Sequence, residues 1–92
     1  MLLGRVTIGD FDQFWSTFTS AGAAHRRKYG SSGARVFRNL DQPGELFVLF
    51  DWSKADYERF MADPETPGIM KAAGLARPPE TVEVEEAGEV GS

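Results

Sequence analysis

The chain has 92 residues, of which 41% are hydrophobic and 12% aromatic, and ten Lys and Arg against fourteen Asp and Glu give a formal net charge of −4. This is the composition of one small globular domain, which excludes collagen-like, wholly disordered and disulfide-scaffold classes. The acidic balance opposes sequence-independent attraction to nucleic acid or to an anionic membrane surface, and the lack of cysteine removes thiolate chemistry.

Leu2 to Ile8 alternates as a strand, with Leu2, Gly4, Val6 and Ile8 on one face. From Phe11 the period changes: Phe11, Phe14, Trp15, Phe18, Gly22, His25 and Tyr29 recur at steps of three and four, the stripe of one amphipathic helix. Asp10 is its expected N-cap, with Gln13 three positions on, and Gly30 ends it. Arg26, Arg27 and Lys28 fall in the last turn, where cations complement the helix dipole. Ala34 to Asn39 reads as a second strand and Glu45 to Trp52 as a third. Asp41-Gln42-Pro43-Gly44 joins them as a turn in which Pro fixes φ and Gly admits a positive φ.

Ser53 caps a short helix, with Asp56 three residues later and Tyr57, Phe60 and Met61 along one side, and Asp63-Pro64 breaks it. A further helical segment runs to Ala73 and stops at Gly74; Thr81 to Glu86 is the last strand, with Val82 and Val84 on one face. Residues 1–86 form the expected domain and 87–92 a flexible, Gly-containing tail. No apolar run approaches a membrane span and the N-terminus has no leader pattern, so the expectation is a cytoplasmic protein with no membrane partner.

The order β-α-β-β-α-β is the ferredoxin-like α+β arrangement, an antiparallel sheet with the first and third strands central. The third strand is apolar on both faces: Leu46, Val48, Phe50 and Trp52 on one, Phe47 and Leu49 on the other. Helices can cover only one face. A second copy packed sheet against sheet would cover the other, which predicts a homodimer.

Gly33-Ala34-Arg35-Val36-Phe37-Arg38-Asn39, the hairpin Asp41 to Trp52, Met61-Ala62-Asp63-Pro64, Ala73-Gly74 and Pro78-Pro79-Glu80 together resemble the dimeric α+β barrel superfamily, in particular its antibiotic-biosynthesis-monooxygenase-like members. The resemblance covers about residues 1–86. It implies a dimeric barrel whose ligand lies between each sheet and its helices, and a superfamily that includes cofactor-independent monooxygenases of aromatic polyketides, polyketide cyclases, haem-degrading enzymes and lactone isomerases. Haem-degrading members use an Asn on the first strand and a His on the second helical region; Leu2 to Ile8 has no Asn and Tyr57 to Ala73 no His. The resulting expectation is an aromatic or polyketide-like ligand and no cofactor. The alternative is a non-catalytic dimer that binds a ligand or serves as a scaffold.

His25 is the one histidine, and its ordinary pKa suits proton transfer near neutrality, so it is the first candidate base. Its other reading is a buried helix residue hydrogen-bonded to a backbone carbonyl. Arg38 is a candidate to stabilise an enolate, or an edge-strand ion-pair partner, while Trp52 and Tyr57 offer an indole N–H and a phenol O–H as polar handles. Phe14, Trp15, Phe18, Phe50, Phe60 and Met70 are candidates to line a flat apolar pocket, and core packing is the competing account of them. With one His and no Cys no metal site is expected, and Glu83, Glu85 and Glu86 read as a solvated strand edge. Phe47-Val48-Leu49-Phe50 matches the end of an RNA-recognition motif. Pro43 and Glu45, however, stand where a basic residue and a stacking aromatic belong, so no nucleic-acid partner is expected.

Overall fold

The computed structural model describes residues 1–92. Alternating residues build β1 (Leu2–Thr7), β2 (Ala34–Arg38), β3 (Glu45–Phe50) and β4 (Glu80–Glu83), which form one antiparallel sheet in the order β2-β3-β1-β4. The central pair runs from Leu2 opposite Phe50 to Thr7 opposite Glu45. The helices α1 (Phe11–Phe18), α2 (Ala21–Arg27), α3 (Lys54–Ala62) and α4 (Thr66–Ala72) complete an α+β ferredoxin-like fold. Ile8 leaves β1 and bridges Leu75, β3 stops two residues before Trp52, and β4 is shorter than its alternation suggests.

The stripe from Phe11 to Tyr29 is not one helix but two. Thr19 and Ser20 turn their hydroxyls back onto the carbonyls of Trp15 and Ser16, at 2.7 and 2.6 Å, and Ser20 leaves helical geometry with φ −119° and ψ −97°. Short hydroxyl side chains compete for backbone partners in this way. Gly22 allows the tight joint that follows, since a Cβ there would lie 2.9 Å from the Thr17 carbonyl oxygen. Asp10 accepts from the Gln13 amide as an N-cap should, but the Gln13 side chain donates to the Ala72 carbonyl and so ties α1 to α4.

Other local signals act as their chemistry dictates. Gly30 and Gly74 adopt φ of 96° and 75°, the left-handed conformations that release the chain after α2 and α4. Ser53 and Asp56 form a reciprocal capping box at α3. In the β2–β3 turn the Glu45 amide donates to the Gln42 carbonyl, with Pro43 and Gly44 at the corner. Gly44 does not enter the left-handed region; its carbonyl instead accepts the Ile8 amide at 2.9 Å. Arg5 and Asn39 both donate to Glu45, holding its carboxyl below the usual range and closing the hairpin end of the sheet.

The helices cover one sheet face, on which Leu2, Val6, Leu46, Val48 and Phe50 are buried with Phe14, Trp52, Tyr57 and Phe60. The opposite face has no helix. Register places Leu3 beside Leu49 and Val82, and Phe47 beside Phe37; Phe37 is 46% and Val82 53% exposed. No helix is long and apolar enough to cross a membrane.

Candidate functional site

A cavity of about 60 Å³ lies between the sheet and the helices. Phe14 and Phe18 reach it from α1, Phe50 and Trp52 from the end of β3, Tyr57 and Phe60 from α3, and Met70 from α4. The sheet contributes Val6 and the β4 approach contributes Pro79. An apolar cavity that takes up benzene is larger, about 150 Å³. An aromatic ligand would have to displace side chains to enter, and the unbranched Met70 is the wall residue best suited to move.

The aromatic wall is continuous. Phe14 stacks on Phe18 with centroids 4.8 Å apart, Phe18 approaches Phe50 at 6.2 Å, Phe50 approaches Trp52 at 5.5 Å, and Trp52 meets Phe60 edge-on at 5.2 Å. These contacts are partly core packing, since Phe14 and Phe60 belong to the central cluster. Trp52 and Tyr57 add polar groups to this wall. The Trp52 indole Nε1–H is buried and has no hydrogen-bond partner, whereas buried polar groups are almost always paired. Burial pushes the Tyr57 phenol above its ordinary pKa, so it stays a hydrogen-bond donor at neutral pH.

Three of the residues singled out by the sequence lie elsewhere. Trp15 is 44% exposed and stacks on Phe11 at the helix surface. Arg38, at the exposed end of β2, sets its guanidinium 4.5 Å over the Phe11 ring. His25, 2% exposed, does not line the cavity; it packs behind Phe60, with ring centroids 5.0 Å apart. The Thr66 hydroxyl donates to the Phe60 carbonyl, so its oxygen accepts from His25 Nε2–H at 2.8 Å. That bond network fixes the tautomer and leaves His25 Nδ1 unpartnered, 4.0 Å from a Glu65 carboxylate oxygen. Tyr29 donates to Asp63 beside this group, which holds the Asp63 carboxyl below its usual range.

Arg26 is the charged wall residue, and periodicity did not single it out. Instead of pointing past the end of α2, its guanidinium folds back 3.8 Å over the Phe18 ring. There it donates to the Phe18 carbonyl at 2.8 Å, a group freed by the α1–α2 break. The signal available was Gly22, a residue without a side chain on the buried stripe four positions earlier. A Cβ at Gly22 would stand 3.1 Å from Arg26 Nη1.

No family profile and no curated protein matches the sequence. Solved structures do match. A protein of Bordetella bronchiseptica that carries the provisional name antibiotic biosynthesis monooxygenase aligns with a TM-score of 0.73 at 17% identity, over 94% of each chain. SnoaB, a cofactor-independent oxygenase from Streptomyces nogalater, aligns at 0.66 and 18% identity, over 94% of this chain and 92% of its own. A Deinococcus radiodurans protein of the same provisional name aligns over 100% of both chains, with a TM-score of 0.64 and 17% identity. The fold is that of the antibiotic-biosynthesis-monooxygenase-like α+β barrel proteins.

Proposed function

We propose that this protein binds a hydroxylated aromatic, polyketide-like molecule in the cavity between sheet and helices and oxidises it as a cofactor-independent monooxygenase. The observation that carries the reading is the unpartnered Trp52 indole N–H in a wall made mainly of aromatic and aliphatic side chains. Leaving such a donor buried costs about 1–3 kcal/mol, which a ligand oxygen accepting from it would recover. The oxygenase fold neighbours support the same reading.

The chemistry requires a substrate whose phenolate or enolate reduces dioxygen without a prosthetic group. For an activated ring methylene the balance is CH2 plus O2 giving C=O plus H2O. Two C–H bonds are replaced by a carbonyl, and the second oxygen atom leaves as water with both hydrogens. Apolar walls exclude bulk water from the anion, while Trp52 and Tyr57 donate to its oxygen.

Oxygen-electrode assays with a hydroxyanthrone are the test. The expected result is protein-dependent uptake of one O2 per substrate, with kcat/KM lowered about 10- to 100-fold in Trp52→Phe, which keeps the ring and removes the donor. Binding without oxygen uptake above buffer would overturn the monooxygenase reading in favour of a non-catalytic ligand carrier.

We also propose that a second copy covers the helix-free face of the sheet. Phe37, Phe47, Leu49 and Val82 form an apolar surface of the kind that monomers seldom leave in water. Leu49→Asp places a charge at its centre and is expected to convert the protein to monomers at micromolar concentration, read by sedimentation equilibrium. A wild-type mass of 10.1 kDa in the same experiment would overturn the dimer.

A further inference from the structure

We infer that Arg26 is the anion-recognition residue of the cavity, so that its ligand is a hydroxyarene taken up with the oxygen ionised. The inference deepens the proposed function and rests on it.

Arg26 carries the only charge among the residues that line the cavity. The ion pairs of the molecule use Arg5, His25 and Arg59 as their cations, and none reaches Arg26. Its guanidinium is therefore held against an aromatic face without a counterion, and burial brings its pKa down to about 10. It is still protonated at neutral pH. A guanidinium has five N–H donors, and the Phe18 carbonyl accounts for one contact. The fold also makes room for this placement, through the missing side chain at Gly22 and the break between α1 and α2.

The rest of the wall supplies no base. It contains no carboxylate and no histidine, and its one aliphatic hydroxyl, on Thr17, donates to the Ala72 carbonyl. A neutral phenol entering this cavity would find nothing to take its proton. An unpaired guanidinium removes the need, because an opposite charge within about 4–6 Å favours the ionised form and lowers the pKa of the bound hydroxyl. The phenol's proton then goes to water before or during entry, and the guanidinium of Arg26 balances the charge of an anion to which Trp52 and Tyr57 donate.

4-Nitrophenol, whose anion is yellow, and its neutral methyl ether 4-nitroanisole separate charge from shape. In the unaltered protein near pH 8 the nitrophenolate is expected to bind at least tenfold more tightly than the ether, and the bound phenol to titrate about one pH unit below the free one. Arg26→Met should abolish both differences while ether binding stays within about twofold, and Arg26→Lys should restore part of them. Equal affinities for anion and ether in wild type overturn the inference whether or not the variants fold. Preserved discrimination in Arg26→Met overturns it as well. Wild-type protein that binds neither probe, and no larger hydroxyarene, overturns the proposed function and Arg26's role with it. Ether binding without anion preference sinks the role of Arg26 alone.

Discussion

Phe14→Ala is expected to cost about 3–5 kcal/mol of folding stability, the range for deleting a large aromatic from a packed core. Phe14 is 2% exposed, stacks on Phe18, and belongs both to the central cluster and to the cavity wall. Removing the ring takes the one buried side chain of α1 out of the central cluster and leaves a void that Phe18 and Phe50 can only partly close. For a domain of this length each kcal/mol moves Tm by roughly 4–8 °C, so a fall on the order of 15–30 °C is expected in thermal denaturation followed by circular dichroism. Phe14→Leu should lose much less. A fall of only a few degrees for Phe14→Ala would mean that α1 is not anchored through this ring.

His25→Ala is the second large effect, and it separates stability from turnover. The imidazole fills space between Tyr29 and Phe60 and donates to Thr66, which in turn holds the Phe60 carbonyl. Truncation leaves a void and takes away the donor to the Thr66 oxygen at a site closed to water, an expected loss of about 2–4 kcal/mol by chemical denaturation. Because His25 lies behind Phe60, arene oxidation per folded molecule should stay within about threefold of wild type. A loss of turnover of a hundredfold or more with unchanged melting would make His25 the general base and place the reacting oxygen on its side of Phe60.

The sequence made the sheet order legible because both hydrophobic periods are clean. Leu46, Val48 and Phe50 alternate with Phe47 and Leu49, and both residue sets occupy the faces that alternation assigns them. The aromatic part of the cavity wall was legible for the same reason, since Phe14, Phe18, Tyr57 and Phe60 are inward positions of helices packed on that sheet. The α1–α2 break was not, because the stripe keeps its helical steps of four and three across Phe18, Gly22 and His25 while the helix between them is interrupted by two hydroxyl side chains. That break is also what hid Arg26. A periodic reading sends a last-turn arginine into solvent, and only the bend and the bare Gly22 turn it back onto Phe18. Distances decide the separate placement of His25 and Arg38, and spacing along the chain does not carry them.

The β1–β3 ladder at the centre of the sheet has a kinetic consequence. Leu2 pairs with Phe50 and Thr7 with Glu45, so nucleating this ladder means closing a loop of about forty residues before any of its bonds can form. The local helices repay none of that entropy, since the longest has nine residues and is short for independent stability. Refolding should thus be a slow, concerted event set by the meeting of two distant strands, with their amides the last to open when the native molecule breathes.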